Sequence, residues 1–130
     1  MPGFTNFSED LVLDFLFTAG TATRPTAWYV ALYTVAPGEA GGGTECSGTS
    51  YVRQSASFTV SGTAPSQAAN SAAVEFPTAG GSWGTIVAAG VFDALSSGNL
   101  LAYADLTTSK TIDTGDVLRF NTGTLIVTLD

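Results

Sequence analysis

Between Phe7 and Phe17 the apolar residues Phe7, Leu11, Val12, Phe15 and Leu16 recur at the spacing of one helical face. Asn6 is the expected N-cap, with Glu9 three residues on in the capping-box position and Gly20 as the stop. Glu9 and Asp10 fall in the first turn, where the helix dipole favours negative charge. Leu13 and Phe17 widen the apolar surface beyond one stripe. A helix with that much apolar surface is expected either between layers or against another subunit.

After Gly20 the period changes from helical to alternating. Ala27 to Thr34 sends Trp28, Val30 and Leu32 to one side. Pro37-Gly38 ends that run, and Gly38 to Gly48 holds too much glycine for a regular element. Further strands are expected at Tyr51–Ser61, Ser71–Phe76, Trp83–Ala94, Leu100–Leu106, Thr111–Phe120 and Thr124–Leu129. Gly90 suggests a bulge or a close approach, and Ser97-Gly98-Asn99 reads as a hairpin turn. The last two strands are expected to pair through Asn121-Thr122-Gly123. Short strands with frequent turn signals and no visible repeat predict a mostly β fold. The expected architecture is a single antiparallel β-sandwich, jelly-roll or Ig-like, with one short N-terminal α-helix. Residues 1–130 form one domain in this reading, with a helical arm over 1–20 and the sandwich over 21–130. Its core is expected to include Trp28, Val30, Leu32, Phe58, Val74, Phe76, Val91, Leu101, Leu118 and Val127.

Composition removes several classes of function. The chain has 130 residues, of which only 12% are charged, and carries a net charge of −7. Ordinary globular domains carry about 25% charged residues. With four Lys and Arg in all, a groove that tracks phosphates is out of reach, so nucleic acid is not an expected partner. There is no histidine, which removes Ser-His-Asp and Cys-His schemes and histidine metal sites. Cys46 is alone and cannot close a disulfide within the chain. The N-terminal segment lacks the basic start of a signal peptide, and no uncharged apolar run approaches the roughly 20 residues of a membrane span. The expectation is a soluble protein made without an export signal of its own, with no membrane partner.

The remaining candidate chemistry is sparse. Asp113 and Asp116 flank Thr114-Gly115, too few acids for a calcium loop, and read as turn caps. Ser109 beside Lys110, the sole lysine, sits in a turn-like stretch rather than on a strained elbow. Trp28, Tyr29, Trp83 and Tyr103 are the aromatics that a sugar site would draw on. Aromatics in a sandwich are more often core. Neither a cofactor nor a metal nor catalysis is expected.

Several motifs resemble a known family. They are Pro25 to Pro37 around Tyr29-Val30 and Leu32-Tyr33-Thr34, Gly48-Thr49-Ser50-Tyr51-Val52-Arg53, Asn70 to Pro77, Trp83-Gly84-Thr85 and Gly98 to Leu101. Together they resemble short bacteriophage virion structural proteins, variously labelled head fibre, tail fibre or decoration protein. Thr49 stands where that pattern has a second glycine. The resemblance implies no catalytic residue. It implies a place on the outer surface of a phage particle assembled in the host bacterial cytoplasm.

Two structural roles follow as expectations. The first is a capsid decoration, or cement, protein that bridges major capsid proteins. The alternative is a head or tail fibre component, either adaptor or receptor-binding tip. Expected partners are the major capsid protein and sister copies in a homo-oligomer or array. The candidate assembly contacts are Phe7, Leu11, Leu13, Phe15, Leu16 and Phe17 on the helix, with Gly41, Gly42 and Gly43 in the glycine-rich loop. With Arg24, Arg53, Lys110 and Arg119 as the only cations, apolar contacts and hydrogen bonds rather than a basic patch should carry attachment.

Overall fold

A computed structural model describes residues 3–62 and 66–129; residues 1 and 2 of the expected arm lie outside them. In chain order the elements are β1 (Gly3–Phe4), α1 (Asn6–Phe17), β2 (Trp28–Val35), β3 (Thr44–Glu45), β4 (Gln54–Ala56), β5 (Phe58–Ser61), β6 (Ser66–Asn70), β7 (Val74–Glu75), β8 (Gly84–Phe92), β9 (Leu100–Ile112), β10 (Arg119–Phe120) and β11 (Ile126–Leu129). The fold is mostly antiparallel β with one short N-terminal helix.

The largest sheet runs β1-β9-β8-β2-β3, and β4 pairs with β2 beyond the end of β3. A three-stranded sheet, β11-β6-β5, and a two-stranded one, β10-β7, make up the rest. Val30 and Leu32 from β2, Ile86 and Ala89 from β8, and Ile112 from β9 form one side of the main core. Val74, Phe76 and Leu118 meet them from the other side, with Phe120 and Leu125 at the margin. This is a sandwich-like arrangement. The reverse face of the large sheet carries a second cluster of Ala31, Tyr33, Ala88, Phe92 and Leu100. Both faces of β2 are therefore covered, so Val30 through Tyr33 are all buried.

Several expectations need correction. Of the expected core, Val30, Leu32, Val74, Phe76 and Leu118 are buried. Trp28, Phe58, Val91, Leu101 and Val127 are only half-buried: Phe58, Val91 and Val127 line an open cleft, and Trp28 and Leu101 sit at the starts of their strands. The glycine-rich loop does contain a regular element, since β3 pairs Thr44 and Glu45 with Val35 and Tyr33. Thr111–Phe120 is not one strand. Its first two residues end β9, while β10 pairs with β7. The partner of β11 is β6, which alternation did not reveal because Ser-Gln-Ala-Ala-Asn lacks β-branched and aromatic residues.

The expected turn at Thr107 to Lys110 lies inside β9 instead. There the register jumps from Ala88↔Asp105 to Ile86↔Lys110. Val87 thus faces four residues, Leu106 to Ser109, and the turn-like sequence is absorbed as a wide bulge. Gly90 holds regular register with Ala31 and Tyr103. Its role is close approach, since a Cβ there would come 2.7 Å from Leu100 Cδ1 and 3.1 Å from Tyr33 Cε1.

Candidate functional site

The helix begins one residue earlier than its sequence suggests. Thr5 is the N-cap, and its Oγ1 accepts from the Ser8 N–H at 3.4 Å. Thr5 Oγ1 also donates to the Leu100 carbonyl, and Ser8 Oγ donates to the Leu101 carbonyl at 2.7 Å. The Asn6 N–H donates to the Glu39 carbonyl at 2.9 Å. Three hydrogen-bonded anchors therefore pin the first turn to β9 and to the glycine-rich loop. Among the described residues no comparable anchor holds the last turn. Thr18 closes it, donating through Oγ1 to the Asp14 carbonyl at 2.9 Å, so the helix stops before Gly20.

Exposure follows this anchoring. Ser8 is buried and Leu11 and Val12 are half-buried. Leu13, Phe15, Leu16 and Phe17 are 55%, 71%, 61% and 77% exposed. Four large apolar side chains are thus left in water on one helix end, an exposed apolar patch of the kind that marks interaction sites. Phe7, at the anchored end, joins Gly41 and Gly42 along a cleft of about 520 Å³, with Tyr33, Phe92 and Leu100 also lining it. The structure thus brings Phe7, Gly41 and Gly42 together and sends the helix tip elsewhere. Gly43 does a different job. It has φ +72, and a Cβ there would meet the backbone of Val35 to Pro37, so it shapes the β2–β3 connection.

A polar cluster that sequence reading did not single out lies near that cleft, under Phe92. Arg53 is buried; its Nε and Nη2 donate to both oxygens of Glu45 at 2.9 and 2.8 Å. Its Nη1 donates to the carbonyls of Ala94 and Ser97, and the guanidinium carbon sits 3.6 Å from the Phe92 ring centre. Tyr51 Oη donates to Glu45 Oε2 at 2.8 Å and accepts from the Leu32 N–H at 3.1 Å. Burial alone would raise the Glu45 carboxyl, but hydrogen bonds from Arg53 and Tyr51 outweigh it and hold the group below the usual carboxylate range. Its hydrogen bond to Glu45 raises Arg53. Burial, with the Glu45 charge, pushes Tyr33 up to about 12, and burial also raises Tyr51. Every member is locked in one charge state near neutrality, which suits a clamp rather than proton transfer. The sequence signal was the Tyr-x-Arg of the resemblance.

The other motif residues are structural too. Trp83 is buried and donates through Nε1 to the Thr49 carbonyl at 2.8 Å. A Cβ on Gly48 would overlap Trp83 Cδ1, so the glycine that matches the pattern is required, whereas the departure at Thr49 places its side chain over Gly80 and Gly81. Asn70 is buried; it donates to the carbonyls of Ala72 and Asn121 and accepts from the Leu125 N–H. Among the described residues no buried side-chain nitrogen or oxygen lacks a hydrogen-bond partner.

The remaining candidates scatter. Asp116 accepts from the Asp113 N–H at 2.8 Å, a turn cap as expected. Lys110 is exposed at the end of the β9 bulge. Cys46 is buried in the main core, and burial raises its thiol. Trp28 and Tyr29 are half-buried as neighbours on β2, and Tyr103 is half-buried on β9. No group of three metal-ligating side chains occurs among the described residues, and no described helix is long and apolar enough to cross a membrane.

A protein-family model described as Podophage GP4 fiber I protein gp80 matches residues 3–128. The chain belongs to this family. The match covers both the anchored helix and the β body, and it agrees with the resemblance carried by the motifs. The fiber I family favours the fibre alternative over capsid decoration, which was the first expectation. No curated protein matches the chain.

Proposed function

We propose that this chain is a structural fibre component on the outside of a podophage particle, held there through the projecting end of α1. The observation that carries this reading is the exposed tip of Leu13, Phe15, Leu16 and Phe17 on a body in which, among the described residues, every buried side-chain nitrogen and oxygen is partnered. A self-satisfied β body serves as a rigid spacer, and the apolar tip is its socketed end. The turn at Gly41 and Gly42, bonded to the helix start through Glu39, serves as a second contact beside it. Its partners are neighbouring virion proteins, sister copies among them.

Charge supports an apolar attachment. Arg53 is consumed inside the fold, which leaves Arg24, Lys110 and Arg119 as exposed cations. Arg119 pairs with Glu75 at 3.3 Å, an exposed bridge of small value. Attachment should therefore survive washing of particles at about 1 M salt, where charge screening is nearly complete. Copy number in purified virions tests the role directly. A few to a few dozen copies fit a fibre. Hundreds, in proportion to the major capsid protein, would overturn the fibre reading and restore decoration.

A further inference from the structure

We propose that the tip of α1 pairs with the same tip of a second copy of this chain, antiparallel, about a two-fold axis beside Leu16. This rests on the reading of the tip as the attachment surface and names its occupant. At about 100° per residue, Phe15, Leu16, Leu13 and Phe17 follow one another around roughly 200° of the helix, with Leu16 at the centre. A stripe that wide needs cover from a partner that is itself apolar, and its own twin meets that need.

Area and charge argue for the twin and set its direction. Taking roughly 150–250 Å² for a buried aromatic side chain and somewhat less for leucine, these exposures leave roughly 500 Å² of apolar surface per copy. Complete mutual cover of the two tips would remove roughly 1,000 Å² from water, the threshold of a specific contact. Glu9 lies seven residues before Leu16 and therefore on the same face. Parallel pairing would set Glu9 against Glu9 and Asp10 against Asp10. Antiparallel overlap at Leu16 moves the two Glu9 side chains roughly 20 Å apart, well beyond the screening length of about 8 Å. Among the helix residues there is no base to compensate the parallel arrangement.

The test uses the full chain. Sedimentation equilibrium should show concentration-dependent doubling of the 13.2 kDa mass. Leu16→Glu should weaken the pairing about thirtyfold or more, with an unchanged far-UV spectrum. Leu16→Cys should form a disulfide-linked dimer in air while Glu9→Cys does not, because a disulfide needs Cα atoms within about 7 Å. The native Cys46 is buried and will not compete. A monomer at about 0.1 mM, a trimer, or equal cross-linking through Glu9→Cys would overturn the proposal. Binding of the Leu16→Glu chain to particles separates the two readings. A monomeric wild-type chain whose variant fails to join particles overturns self-pairing and leaves the attachment reading standing. A dimeric wild-type chain whose variant joins normally removes the attachment reading alone.

Discussion

Arg53 and Phe17 occupy each other's expected places. The guanidinium is buried under an aromatic ring, while the phenyl ring is 77% exposed. The inside polar group is complete. Glu45, two carbonyls and the face of Phe92 take up its charge and its donors. The outside apolar group is incomplete, with nothing among the described residues to cover it. A buried charge with every partner in place rigidifies a fold without asking for a ligand, whereas an uncovered apolar tip asks for one. The contrast sets an open apolar surface at the helix tip against a closed polar clamp inside, opposite to what residue type alone suggests.

The largest effect should come from breaking the clamp. Arg53→Ala leaves the Glu45 carboxylate and two carbonyls without their donor, and should cost about 3–5 kcal/mol in urea unfolding. A loss below about 1 kcal/mol would mean that water replaces the guanidinium and that the clamp is ornamental. Next is Gly43→Ala, with positive φ and backbone in the way of the new methyl. It should cost more than the roughly 1 kcal/mol typical of a strained glycine site, read by thermal melting.

Acid should act through Glu45. Its folded pKa is depressed, so the stability it contributes is present above its unfolded value, near 4.5, and is lost as pH falls through the folded value. Melting temperature should therefore drop on acidification below about pH 4.5 in the wild-type chain. Glu45→Gln should start less stable and fall less steeply. Parallel curves would show that other carboxylates dominate. The smallest effect on folding belongs to the tip. Phe17→Ser should change unfolding free energy by no more than about 0.5 kcal/mol, yet reduce binding to particles. A large folding cost would mean the tip packs on its own body.

The helix, β2 and the β8–β9 hairpin were legible because each declares itself locally. An apolar period of 3.6, an alternating run, and Ser97-Gly98 with both residues at positive φ need no distant partner. The N-cap slipped from Asn6 to Thr5 because either residue can cap, and only Leu100 and Leu101 across the sheet chose. Likewise Thr107 to Lys110 has turn chemistry, and pairing with β8 turned it into a bulge.

The sequence by itself determined the mostly β class, the single amphipathic helix, and the excess of apolar residues on it. These follow from local periodicity and composition. Only the tertiary structure decided which end of that helix stays in water. Hydrogen bonds from Thr5, Asn6 and Ser8 anchor the first turn to β9 and the glycine-rich loop, and the remaining helix runs past its support. Only tertiary contacts likewise made Arg53 an interior residue. Its partners lie at Glu45, Phe92, Ala94 and Ser97, separations over which no local pattern carries information.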